Sequence, residues 1–225
     1  MILQKYQIQK ELLAKYFEPA IYKISKYSLK YFAVSDNYKL DEYCQIFYEY
    51  FKENPYFVNK WYSLDLFHHY IFKELKRANF ENKKIVELGA GLGITSAFLK
   101  KILSPKNIKL IPIDYQYSAC MLINNTAQIN NVSKNSVNCN WQYPPLKKID
   151  IVIGIDVIYE ISTVVQLLEC FDKILGKDSL IYLANFENYA FQTVIAELSK
   201  KYKILDCLEK KNSSQKIRLY KIVIF

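Results

Sequence analysis

Hydrophobic positions along the chain follow two different periods, and the change between them divides the sequence. From Met1 to about Asn79, aromatic residues recur at helical intervals, among them Tyr6, Tyr16, Phe17, Tyr22, Tyr27, Tyr31, Phe32, Tyr43, Phe47, Tyr50 and Phe51. Spacings of three and four, with no glycine in the segment, predict several helices broken near Pro19 and Pro55. Tyr and Phe so spaced face a core rather than a ligand. Residues 1–79 therefore read as a helical cap, too short and too rich in surface lysine for an independent enzyme, packed on a domain spanning 80–225.

From Lys83 onward, strands alternate with helices. The pattern predicts strands over Lys84–Leu88, Ile108–Ile113, Val137–Asn140, Ile149–Ile155, Leu180–Ala184, Lys203–Leu208 and Ile217–Phe225. Helices fall between them at Ile94–Leu103, Ser118–Asn130, Ile161–Leu175 (ended by Gly176) and Tyr189–Ser199. Five of the seven residues in Ile149–Ile155 are Ile or Val, which suits a strand buried on both faces of a parallel sheet. Glu209–Lys216, with Asn212-Ser213-Ser214, reads as the turn of a closing hairpin. This order implies a doubly wound α/β sheet with a C-terminal antiparallel hairpin.

Composition narrows the class only slightly. A chain of 225 residues, 51% hydrophobic, buries one substantial core. The net charge of +9 is dispersed, with dense groups as short as Lys100-Lys101 and Lys210-Lys211, so a solvated lysine-rich surface fits better than a nucleic-acid groove. Five cysteines, with no close pair and no Cys-x-x-Cys, argue against a disulfide framework or a zinc site. Neither a signal peptide nor a membrane span is expected, and the expected compartment is the cytoplasm.

The chemistry begins where three of the chain's five glycines cluster, in Val86-Glu87-Leu88-Gly89-Ala90-Gly91-Leu92-Gly93-Ile94-Thr95. A strand turning through glycines into a helix brings backbone against a ligand and aims helix N–H groups at it. One residue, not two, precedes the third glycine, unlike a dinucleotide fingerprint. Ligands in such sheets lie beyond the carboxyl ends of the strands. Asp114-Tyr115 follows the second predicted strand, and an acid there accepts hydrogen bonds from ribose hydroxyls. Asn140-Trp141 follows the third, suited to an adenine edge and face, although a Trp plugging the sheet end reads nearly as well. Asp156-Val157-Ile158-Tyr159-Glu160 follows the fourth, where Asp156 also reads as a helix N-cap.

The Glu-x-Gly-x-Gly-x-Gly loop resembles the first motif of class I S-adenosylmethionine (SAM) methyltransferases. Taken in order with Ile113-Asp114-Tyr115, Asn124-Asn125, Trp141 and Asp156-Val157-Ile158-Tyr159, it is similar to the seven-β-strand protein-lysine methyltransferases, methyltransferase family sixteen. Lys60-Trp61-Tyr62-Ser63-Leu64 resembles that family's upstream Trp, and the likeness runs from about Trp61 to Phe225. It implies a seven-stranded Rossmann-like sheet and SAM as cofactor. Glu87, Gly89 and Gly91 would line the methionine and ribose side, Asp114 would hold the ribose, Trp141 would border adenine, and Trp61 would close over the cofactor. Ala90, Gly93, Tyr115 and Asn140, in the same motifs, are taken as cofactor-binding with them. Asp156 and Tyr159 would face the methyl and the incoming amine as catalytic residues, with Asp156 also touching the cofactor. Two departures stand out: Asn140 replaces the usual Asp, and the aromatic segment before Trp61 has no family counterpart.

The implied reaction is methyl transfer to an amine, with a protein lysine as the leading acceptor. A small molecule under an N-terminal lid, an RNA base, or a non-catalytic SAM-binding scaffold are the rivals. The +9 charge suits RNA, but no Asn-Pro-Pro-Tyr-type motif follows the fourth strand. No metal is expected, because His68 and His69 are adjacent on a predicted helix and point in different directions.

Overall fold

A computed structural model describes residues 2–24, 26–34, 36–75, 77–212 and 215–225. The chain opens with helix α1 (Ile2–Tyr16), and the next segment departs from the all-helical expectation. Strands β1 (Phe17–Ile24) and β2 (Tyr27–Val34) form an antiparallel hairpin, with Pro19 opposite Phe32. Alternation won over the three-to-four aromatic spacing in the second half of β1, where Tyr22 and Ile24 are buried while Ile21 and Lys23 are exposed. Proline is tolerated because a strand in a two-stranded sheet has one unpaired edge. Helix α2 (Asn37–Phe51) is capped by the Asp36 side chain, and a break does occur near Pro55 before α3 (Ser63–Glu74). The Asn130 amide clamps the hairpin to the body, accepting from Lys30 N at 3.1 Å and donating to Lys30 O at 2.5 Å.

The body alternates as its pattern predicts: β3 (Lys84–Leu88), α4 (Ile94–Ile102), β4 (Lys109–Asp114), α5 (Tyr117–Ile129), β5 (Val137–Asn138), β6 (Ile149–Ile155), α6 (Val164–Ile174), β7 (Leu175–Phe186), α7 (Tyr189–Lys201), β8 (Lys203–Asn212) and β9 (Gln215–Val223). The seven-stranded sheet has the order β5-β4-β3-β6-β7-β9-β8. Its strands are parallel from β5 through β7, and β9 runs antiparallel to both neighbours. The chain reverses direction across the sheet at β3, between β4 and β6, which is the switch point where ligands collect. Gly176 does not act as the left-handed stop of α6. The chain leaves that helix through extended Leu175, and Asp178 (φ 65°) makes the turn instead. Of the predicted closing turn, Ser213 and Ser214 lie outside the described residues.

Alternate side chains of the central strands feed two cores. Ile151, Ile153 and Ile155 pack with α3, α4 and the N-terminal elements, whereas Val152, Ile181 and Leu183 pack with α6 and α7. That double burial is why β6 reads as a continuous apolar run.

Candidate functional site

A cleft of ≈ 260 Å³ opens over the carboxyl ends of β3, β4 and β6. Gly89 and Gly91 form its floor, with Asp114 and Tyr115 following β4, Asn140 and Trp141 following β5, and Asp156 and Tyr159 following β6. Tyr56, Phe57 and Trp61 wall it from the N-terminal side. A smaller cavity of ≈ 40 Å³ shares Trp61, Gly89 and Gly91 and adds Lys60, Glu87, Ala90 and Thr95.

The three glycines all have positive φ, but for different neighbours. A Cβ on Gly93 would lie 2.8 Å from the Ile123 Cα, so this residue serves the packing of α4 on α5 and lines neither cavity. A Cβ on Gly89 would strike Val157 at 2.7 Å. Gly91 meets only Phe57 backbone, at 3.5 Å or beyond, and is the glycine whose bareness opens the cleft.

Each Asp114 oxygen accepts one backbone N–H, from Gln116 to Oδ1 and from Gly91 to Oδ2, both at 3.0 Å. A lone pair on each remains for a guest, as a vicinal diol requires. Burial pushes its pKa up to about 6 against the pull of those amides. Burial likewise pushes Glu87 up to about 7, although Ser96 Oγ donates to it. Asp156 sits at φ 50° with its carboxylate occupied: Oδ2 accepts from Ser63 N at 2.9 Å, and Oδ1 accepts from Ser63 Oγ at 2.6 Å and Phe186 N at 3.1 Å. It therefore caps the start of α3 across space rather than beginning the helix after it. Burial raises its pKa.

At the mouth, the rings of Tyr56 and Tyr159 lie 4.9 Å apart, and Tyr56 Oη donates to Glu160 Oε1 at 3.4 Å. Burial pushes Tyr115 up to about 12 and raises Tyr159 as well, so both remain phenols at neutral pH. Among the described residues, no Lys, Arg or His lines the large cleft. Its charged side chains are carboxylates, which favours a cationic guest.

The structure thus brings every sequence-derived candidate except Gly93 to one of the two cavities. Asn124 on α5, from the motif series, accepts from Ser136 N and lies away from both. Sequence reasoning missed Tyr56, Phe57 and Gln116. The first two were hidden in a segment read as core. Gln116 Nε2 fastens that segment by donating to Asn54 O at 2.9 Å.

A family model described as lysine methyltransferase matches residues 59–216. No curated protein sequence matches the chain. Similar solved structures include the N-methyltransferase NodS from Bradyrhizobium japonicum WM9 in complex with S-adenosyl-L-homocysteine, at 14% identity and a TM-score of 0.56, covering 70% of this chain and 87% of that one. A SAM-dependent methyltransferase from Aquifex aeolicus gives 15% and 0.57, with 69% and 89% covered. A ribosomal protein L11 methylase from Lactobacillus delbrueckii subsp. bulgaricus gives 14% and 0.55, with 72% and 80% covered. At these identities the likeness is one of fold.

Proposed function

Because the chain belongs to the lysine methyltransferase family, and is a SAM-dependent methyltransferase with the seven-stranded sheet of that class, we propose that its acceptor is the side-chain amine of a protein lysine. The observation that carries this reading is the mouth of the cleft, where Tyr56, Tyr115 and Tyr159 surround an entry bordered by Glu160. Phenol rings attract an ammonium through their faces, and a carboxylate draws it in.

The residues present suit the cofactor. In this reading Asp114 takes the ribose hydroxyls, Gly89 and Gly91 give backbone approach, Asn140 and Trp141 border the base, and Trp61 covers the whole. Glu87 and Ala90 lie at the amino-acid end, and Tyr115 stands at the rim. SAM supplies a methyl already activated on a sulfonium, so no covalent nucleophile is needed. The protein's work is to align an amine with that methyl and exclude water, an orientation effect that contributes several kcal/mol. A free lysine amine, with a pKa of roughly 10.4, enters protonated and must lose its proton before attack. The tyrosines hold their own protons too tightly to accept it, so it leaves toward water at the mouth. Tyr159 orients the amine. Asp156, with both oxygens taken by protein donors, positions α3 and Trp61, and Glu160 is the carboxylate that meets the substrate.

We further propose that residues 1–79 act as an extension selecting the acceptor and 80–225 as the SAM-binding domain, in a cytoplasmic protein. No helix among the described residues is long and apolar enough to cross a membrane. A small-molecule acceptor is the second reading, favoured by Tyr56 and Phe57 walling the cleft. The test incubates the protein with methyl-labelled SAM and an extract of its source, then fractionates the label. Label on a discrete protein that yields methyl-lysine on hydrolysis supports the proposal, and label confined to small molecules overturns it.

A further inference from the structure

Tyr22 belongs to β1, well before residue 59 where the family match begins, yet two arms lead from its side chain to the small cavity. Through its ring, it lies 4.9 Å from the Lys60 ammonium, and Lys60 is, among the described residues, the one Lys, Arg or His lining either cavity. Through its hydroxyl, it donates to Asp65 and stands 3.3 Å from His68 Nδ1. His68 Nε2 in turn lies 3.0 Å from Thr95 Oγ1, and Thr95 lines the cavity beside Glu87.

The direction of this chain of bonds follows from its ends. The Asp65 carboxylate only accepts, so the Tyr22 proton points there and the phenol oxygen receives His68 Nδ1–H. A neutral imidazole has one N–H, so Nε2 accepts from the Thr95 hydroxyl. His68 is buried, and that burial, with Lys60 nearby, drops its pKa to about 3. The ring is therefore neutral at working pH, and its tautomer is set by Tyr22. Thr95 also hydrogen-bonds the Glu87 carboxyl, so the series that starts at Tyr22 reaches Glu87 at the cavity.

We infer that Tyr22 is a positioning residue for the amino-acid end of the cofactor, holding Lys60 by its ring and Thr95, through His68, by its hydroxyl. The inference rests on the reading of the glycine loop and its two cavities as the SAM site. The amino-acid end of SAM carries a carboxylate, for which Lys60 is the available cation. The N-terminal hairpin is then part of the cofactor site and not only a covering.

The test compares two ligands on the full-length protein by calorimetry: SAM, and methylthioadenosine, which has the nucleoside but no amino-acid end. Tyr22→Leu removes both arms and is expected to weaken SAM about tenfold or more, the factor for one charge-assisted hydrogen bond, with methylthioadenosine within about twofold of wild type. Tyr22→Phe keeps the ring and is expected to lose less than Tyr22→Leu. Lys60→Gln alters an exposed side chain, so it reports on the ring arm even where a Tyr22 variant folds poorly. Equal weakening of both ligands would mean Tyr22 is merely structural, and undiminished SAM affinity in Tyr22→Leu and Lys60→Gln would overturn the inference. Wild-type protein that binds neither ligand would instead sink the assignment of the site itself.

Discussion

Asp156 carries the sharpest conflict between motif and geometry, and substitution separates the two. In the structure its carboxylate receives three donors: Ser63 N, Ser63 Oγ and Phe186 N. Ser63→Ala deletes the 2.6 Å hydroxyl bond alone. A hydrogen bond to a buried charge contributes about 1.5–3 kcal/mol. In a domain of this length each kcal/mol shifts Tm by about 2–4 °C, so a fall of about 3–12 °C is expected. Asp156→Asn retains shape and tolerates the left-handed backbone, but offers one acceptor oxygen where two were used. It strands at least one buried donor, with a fall at least as large as that of Ser63→Ala. Because the two residues share a bond, their effects in the double variant should fall short of additivity by about 1 kcal/mol or more. Thermal melts of the four proteins give this cycle, with SAM affinity measured on each. Affinity should drop in both single variants, since Trp61 stands two residues from Ser63 at the edge of both cavities. Loss of turnover in Asp156→Asn with unchanged Tm, unchanged SAM affinity and no coupling to Ser63 would show instead that Asp156 meets the reacting atoms.

The raised carboxylates set a pH dependence. Glu87, at about 7, and Asp114, at about 6, bind protons more tightly folded than unfolded. The stability they contribute is fully present below about pH 4 and is lost as pH rises through 6 and 7, by on the order of 3 kcal/mol each. Urea midpoints of the ligand-free protein at pH 5.5 and 8 should show this fall, and a higher midpoint at pH 8 would contradict it. SAM affinity should run the opposite way, tightening as Asp114 ionises near pH 6, which calorimetry across pH 5–7.5 reads. Gly93→Ala should lower Tm strongly, because its Cβ would enter Ile123 as well as strain a left-handed backbone, whereas Gly91→Ala should cost the backbone strain alone in Tm and a larger share in SAM affinity. Equal thermal penalties in the two would refute the separation of packing from cradle. Glu160→Gln should raise KM for the proposed amine acceptor several-fold while SAM affinity holds, and a loss of SAM affinity instead would move Glu160 into the cofactor site.

Legibility in the sequence tracked how local the cause was. Strands β3 and β6 end where their apolar runs end, because burial on both faces leaves no ambiguity of period. The residues after each strand were recognisable because position beyond a carboxyl end is itself the signal. The β1–β2 hairpin was not, since Tyr27 and Tyr31, four residues apart, satisfy a helical spacing as well as an alternating one. Tertiary packing against α5, sealed by Asn130 on Lys30, decided between the two. Gly93 matched the motif but is required by Ile123, a contact that no spacing within the loop reveals. Tyr56, Phe57 and Tyr22 reach the site across long stretches of sequence, so nothing near them marks their role.

The site therefore divides by origin. The sheet supplies the residues proposed to hold the cofactor: Asp114 at a strand end, a bare Gly91, and Glu87 beside the loop. The N-terminal segment, which lies mostly before the family match, supplies Tyr56 and Phe57 to the large cleft, while its Tyr22 holds Lys60 at the small one. Among the hydrogen bonds that tie these two parts are Asp156 on Ser63, Gln116 on Asn54, and His68 on Thr95. All three ties end on residues next to, or lining, the cofactor cavities. Loosening the segment must then disturb the cavities together with the sheet face fed by Ile151, Ile153 and Ile155, which packs on the N-terminal elements, while the opposite face, fed by Val152, Ile181 and Leu183, packs on α6 and α7 and keeps its core. On the proposed reading, an extension fastened in this way couples acceptor choice to cofactor retention.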